Sequence, residues 1–178
     1  MSDLARAGVA ETASLVATGE VSARGVVEQA LGRIESRDRE LNAFSRLLVD
    51  EAIAEAQARD DALAAGEQAG PLHGVPIAIK EEIDVVGAVT TFGGDANSTP
   101  AAADAEVVRR LRAAGAVVVG KTTMPEFGAF PFTESTSRGI TRNPWDHSRT
   151  PGGSSGGTAV AVSSGMVPVG MGGDGGGS

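Results

Sequence analysis

The 178-residue chain has no cysteine and only two histidines, His73 and His147. The first absence removes a thiol nucleophile, a disulfide framework and a thiolate metal site together, and two isolated imidazoles are poor material for a metal centre. Positive charge is also scarce: 15 Lys and Arg stand against 23 Asp and Glu, for a formal charge of −8. With no basic stripe, neither nucleic acid nor an anionic membrane surface is expected as a partner. No apolar run reaches the roughly 18 residues that a membrane-spanning helix needs. The first residues carry Asp3, Arg6 and Glu11, unlike a signal peptide, so a cytoplasmic location is expected. Any chemistry must rest on Ser, Lys, Asp or Glu, and no metal or cofactor is expected.

What is present suits one globular domain. The length fits a single domain, and 41% apolar residues suffice for a core. The pattern divides into a helical region over residues 1–66 and an α/β region over 70–178. Ser22 can N-cap a helix whose apolar face is Val26, Val27, Ala30, Leu31 and Ile34. Asp50 can cap a second, alanine-rich helix that Gly66 ends in a left-handed conformation. Val75 to Ile79 and Val117 to Val119 are candidate buried strands, with a helix capped by Asp104 before the second. A further helix starts near Gly157 and runs to Ser164, and Val167 to Met171 returns as a strand. Strands alternating with helices indicate an α/β fold with a mixed or largely parallel sheet.

Two features carry chemistry. The first is Gly152-Gly153-Ser154-Ser155-Gly156-Gly157. It can be a flexible linker, a loop whose amides cradle an anion at a helix start, or glycine-rich backbone that presents Ser154 beside a reacting carbonyl. The flanking Asn143-Pro144-Trp145-Asp146 and Thr158 to Val162 favour a structured loop-to-helix junction over a linker, and no Gly-Lys-Ser/Thr follows to make a Walker loop. The second is Lys80, at the end of Gly74-Val75-Pro76-Ile77-Ala78-Ile79. A lysine there ordinarily extends its ammonium to water. If the strand instead holds it in an apolar interior, lost hydration favours the neutral amine, which can act as a base. Glu81, Glu82 and Asp84 lie close by, either as a solvated strand end or as a group from which one acid tunes the lysine. His73, His147 and Trp145 read as packing or surface residues.

The motifs resemble those of the amidase signature family. They are Gly74 to Lys80, Gly120-Lys121-Thr122-Thr123-Met124-Pro125-Glu126-Phe127, Thr141-Arg142-Asn143-Pro144-Trp145-Asp146, Pro151 to Gly157 and Gly172 to Ser178, in that order. The resemblance covers nearly the whole chain. It implies one α/β domain around a mixed sheet covered by helices, and amide hydrolysis by a Ser-cis-Ser-Lys triad without cofactor or metal. Matched motif to motif, Lys80 is the lysine, Ser154 the bridging serine after a cis Gly153–Ser154 peptide, and Ser178 the nucleophile, 24 residues further on. The N–H groups of Gly175, Gly176, Gly177 and Ser178 would form the oxyanion hole, with Gly128 bordering the substrate and Ser155 and Asp174 orienting the loop.

The resemblance also sets further expectations. The family commonly has threonine where Gly173 stands and often another side chain at Gly175, so a more mobile loop is expected here. A complete family domain runs to more than twice this length, so this chain alone is expected to leave a sheet edge bare and not to turn over amides. A small-molecule amide is the expected substrate, and a homodimer is compatible with the family. Thr123 to Gly128 looks more like stand-alone amidases than like the glutamine-hydrolysing transamidase subunit. An anion-binding module or an inactive interaction fragment are the readings from outside amide hydrolysis.

Overall fold

The two strongest apolar runs lie side by side as parallel strands. In the computed structural model, which describes Leu4 and residues 7–178, β2 (Pro76–Lys80) and β3 (Val117–Thr122) are buried at every position. Parallel strands covered on both faces read as continuous apolar runs, which is why both are visible in the sequence. β1 (Phe44–Leu47) joins β3 antiparallel, and β6 (Val169–Met171) joins β2 parallel, giving a mixed sheet in the order β1-β3-β2-β6. A hairpin of two short strands, β4 (Glu134–Ser135) and β5 (Gly139–Ile140), stands apart from it.

Helices cover both faces. Side chains alternate along a strand, so Ala78 packs with Val27, Ile34, Val160 and Ala161 while Ile77 and Ile79 pack with Val85, Val108 and Val118. The first face is covered by α2 (Ala23–Leu41), α3 (Val49–Ala64) and α5 (Gly156–Ser163), with α1 (Val9–Ala17) beyond; the second meets α4 (Glu106–Ala113). Ile77 pairs with Val118 and Ala78 with Gly120, leaving Val119 as a bulge. The bulge resets the alternation. Thr122 Oγ1 therefore meets Thr158 of α5 at 2.6 Å, while Lys121 turns to the opposite face, toward Val89 and Thr90.

Ser22 caps α2 as expected, its Oγ accepting from Gly25 N at 3.0 Å. Gly66 has φ +85° after α3. Three expectations are corrected. Asp50 is not the cap of α3: Leu48 O already accepts from Ala52 N, so the helix begins at Val49 and Asp50 lies in its first turn, where a carboxylate suits the helix dipole. Asp104 does not cap α4, because its Oδ1 accepts from Val86 N and its Oδ2 pairs with Arg112. The N-terminal region is not wholly helical, since it contributes β1, an edge strand with only Phe44 buried. Among the described residues no helix is long and apolar enough to cross a membrane.

Candidate active site

Three segments meet at the carboxyl end of the parallel strands, the usual place for a site in such a sheet. Lys80 ends β2, the loop Pro151–Ser155 leads into α5, and the loop after β6 carries Gly172 to Ser178. Four glycines let them approach. A Cβ at Gly153 would lie 2.9 Å from Phe132 backbone, at Gly156 it would strike Thr133, at Gly157 it would lie 2.5 Å from Thr123 N, and at Gly173 it would strike Glu82.

Lys80 is 1% exposed, and its Nζ donates to Ser154 Oγ at 2.7 Å, Gly173 O at 3.0 Å and Ser178 Oγ at 3.3 Å. These use all three donors of an ammonium. Ser154 is buried, and the Gly153–Ser154 peptide is cis. Its N–H and Oγ donate to Ser178 Oγ at 3.0 and 2.8 Å, and Ser155 Oγ lies 2.8 Å from the same atom. The exposed Ser178 hydroxyl is thus held from one side by four groups and open on the other. Ser155 Oγ also donates to Gly173 O and accepts from Gly173 N, clasping the second loop.

Asp174 Oδ1 accepts the N–H groups of Gly176, Gly177 and Ser178. These three hydrogen bonds hold its carboxyl below the ordinary 3.8, with Gly177 the largest contributor. The loop is therefore a concave nest of amides that attracts negative charge. The amides expected to receive an oxyanion are occupied by this carboxylate, and of the four only Gly175 N–H has no partner among the described residues. Gly128, at φ +66°, gives its own N–H to Pro125 O; it offers the site space, since a Cβ there would lie 3.3 Å from Ser154 Oγ.

The hollow at Ser178 has a volume of about 380 Å³ and is lined by Phe127, Phe130 and Pro131 together with Lys80, Glu82 and the glycine loop. Phe127 is 71% exposed and Phe130 50%. His73, His147 and Trp145 do not line it; His73 Nε2 contacts Arg59 O and His147 contacts Glu40. Sequence alone leaves open which nearby acid meets the lysine. Glu81 is bound by Thr91 and lies 3.5 Å from Arg138, Asp84 accepts from Thr90, and Glu82 alone faces Lys80, at 3.4 Å. Sequence reasoning also misses a second buried lysine, Lys121, although it follows an apolar run as Lys80 does. Among the described residues no group of three or more metal-ligating side chains occurs.

Comparison with known proteins agrees with this architecture. The chain is 54% identical to the amidase-named AmiB2 of Mycobacterium tuberculosis over 99% of its own length and 38% of that protein. It is 46% identical to a glutamyl-tRNA(Gln) amidotransferase subunit of Acidothermus cellulolyticus, over 100% of its length and 35% of that protein. The peptide amidase of Stenotrophomonas maltophilia superposes with a TM-score of 0.86 at 37% identity, over 92% of this chain and 35% of that one. The chain thus spans little more than a third of the length of the relatives it matches. The model of the Amidase family matches residues 25–178, and the chain belongs to that family, the amidase signature enzymes.

Proposed function

We propose that the chain carries the catalytic residues of an amidase that hydrolyses a carbon–nitrogen amide bond through an acyl-enzyme on Ser178. The observation that supports this most is the unbroken chain of contacts from Lys80 Nζ to Ser154 Oγ, 2.7 Å, and from Ser154 Oγ to Ser178 Oγ, 2.8 Å. With Lys80 as the neutral amine, Ser178 Oγ attacks the carbonyl carbon and passes its proton to Ser154 Oγ, whose own proton goes to Lys80 Nζ. The same path run backward protonates the departing nitrogen as the C–N bond breaks. Water, deprotonated along the path, then releases the carboxylate. Gly175 N–H, joined by the other loop amides where Asp174 yields them, would stabilise the oxyanion; one such donor is typically worth about 2.7–4 kcal/mol.

The test is covalent labelling. A fluorophosphonate is expected to modify Ser178, located by mass spectrometry, and the labelling rate should fall at least about a hundredfold in Lys80→Ala and in Ser154→Ala, the range general-base catalysis supplies. Labelling that survives both substitutions would sink the relay. A second reading, a glutamine-hydrolysing transamidase subunit, is supported by the 46% identity to the amidotransferase relative. Ammonia release from glutamine in preference to simple amides would favour it.

A further inference from the structure

Glu82 is the one charged side chain in the hollow whose bonding capacity is unspent. All three Lys80 donors are committed, while the Glu82 carboxylate, 29% exposed, has only Lys80 Nζ as a partner among the described residues. The exposed rings of Phe127 and Phe130 line the same hollow. We propose that Glu82 makes this site select amides that carry a protonated amino group on the carbon next to the scissile carbonyl, that is, α-amino amides. This assignment rests on the amidase reading.

Three observations carry it. Lys80 Nζ lies 3.4 Å from Glu82 Oε1 and 3.3 Å from Ser178 Oγ, so a single nitrogen atom bridges the carboxylate and the attacking atom. When the carbonyl carbon of an α-amino amide sits at Ser178 Oγ, its amino nitrogen is two bonds away and within reach of Glu82. An ammonium–carboxylate hydrogen bond is among the stronger ones, and this one forms in a half-enclosed hollow. The apolar residues lining the same hollow, Phe127, Phe130 and Pro131, then accept the side chain of the acyl group. The substrate ammonium also shares Glu82 with Lys80. An anionic acyl group would meet the carboxylate unfavourably.

The experiment compares alaninamide with propionamide, which lacks only the amino group. In the intact protein, kcat/KM is expected to be about ten- to a hundredfold higher for alaninamide, the range of a hydrogen bond between charged groups. The ratio should fall to near one in Glu82→Gln and be partly kept in Glu82→Asp. Protection of Ser178 from the fluorophosphonate needs no turnover and gives a second readout: alaninamide should protect wild type at lower concentration than propionamide, less so at high salt. A wild-type ratio near one, or one that survives Glu82→Gln, overturns the assignment and leaves the amidase reading standing. Failure of Ser178 to react with the probe or with either amide overturns the amidase reading, and this assignment falls with it.

Discussion

Lys80 and Lys121 occupy paired strand ends, follow similar apolar runs, and face opposite sides of the sheet. In sequence both follow apolar runs; the pattern raises Lys80 as a candidate base, and the family resemblance gives it a catalytic role. The surroundings separate them: Lys80 meets two serine hydroxyls, whereas Lys121 donates to Thr90 Oγ1 at 2.9 Å and Val89 O at 3.2 Å. Burial pushes the Lys121 amine down to about 8, partly offset by Glu81 and Asp84 and reinforced by Arg46. The unfolded chain, with the ordinary 10.5, therefore holds this proton more tightly than the folded one. Between about pH 8 and 10.5 the unfolded state binds more protons, so this group makes stability rise with pH. Denaturant melts should show the wild-type stability gaining on that of Lys121→Met across this window and running parallel to it below pH 7. Parallel curves throughout would mean that Lys121 has an ordinary environment.

Elements are legible in the sequence where the pattern is long and obscure where a few backbone bonds decide. β2, β3, α2 and α5 have apolar runs or periodic faces. β1 has one buried residue and so no pattern to read, and the starts of α3 and α4 are set by main-chain bonding, which leaves Asp50 within the first turn of α3 and Asp104 to Val86 N and Arg112. The Gly152–Gly157 stretch is legible as a junction because its neighbours are structured. Its glycines are close-approach positions: a Cβ at Gly157 would lie 2.6 Å from Ala43 O and 2.5 Å from Thr123 N, both backbone atoms. Gly157→Ala must therefore push the start of α5 away from β3. Overpacking of this kind typically costs about 1–3 kcal/mol. Because Ser154 and Ser155 lead into that helix, the fluorophosphonate reaction at Ser178 should slow under conditions where the variant remains folded. A lowered denaturation midpoint with unchanged labelling would show that the junction bears on stability alone.

Across the whole molecule, the site joins residues 74 and 98 positions apart, from Lys80 to Ser154 and to Ser178. That convergence follows from sheet order, with β6 placed beside β2, and order is the one property that strand patterns do not encode. The resemblance names the same three residues, but which amides are free and which acid faces Lys80 depend on side-chain placement that motifs leave open. The joined segments are unequally held. Lys80 and Ser154 are buried against the sheet, whereas residues 174–178 are exposed, held by the Asp174 carboxylate and, at Ser178 Oγ, by Ser154, Ser155 and Lys80. Stability within one protein is uneven, and exposed segments with few apolar contacts open first. Because the folded Asp174 carboxyl is held below the ordinary 3.8, its contribution is fully present above that value and is lost as the pH falls through the lowered one. Hydrogen exchange at Gly176, Gly177 and Ser178 should therefore lose protection on acidification while Val118 and Val119 in β3 keep theirs, once rates are corrected for intrinsic pH dependence. Asp174→Asn should show that loss already at neutral pH. If loop and sheet instead open together, the loop is held by the fold as a whole and the Asp174 carboxylate is not its fastening.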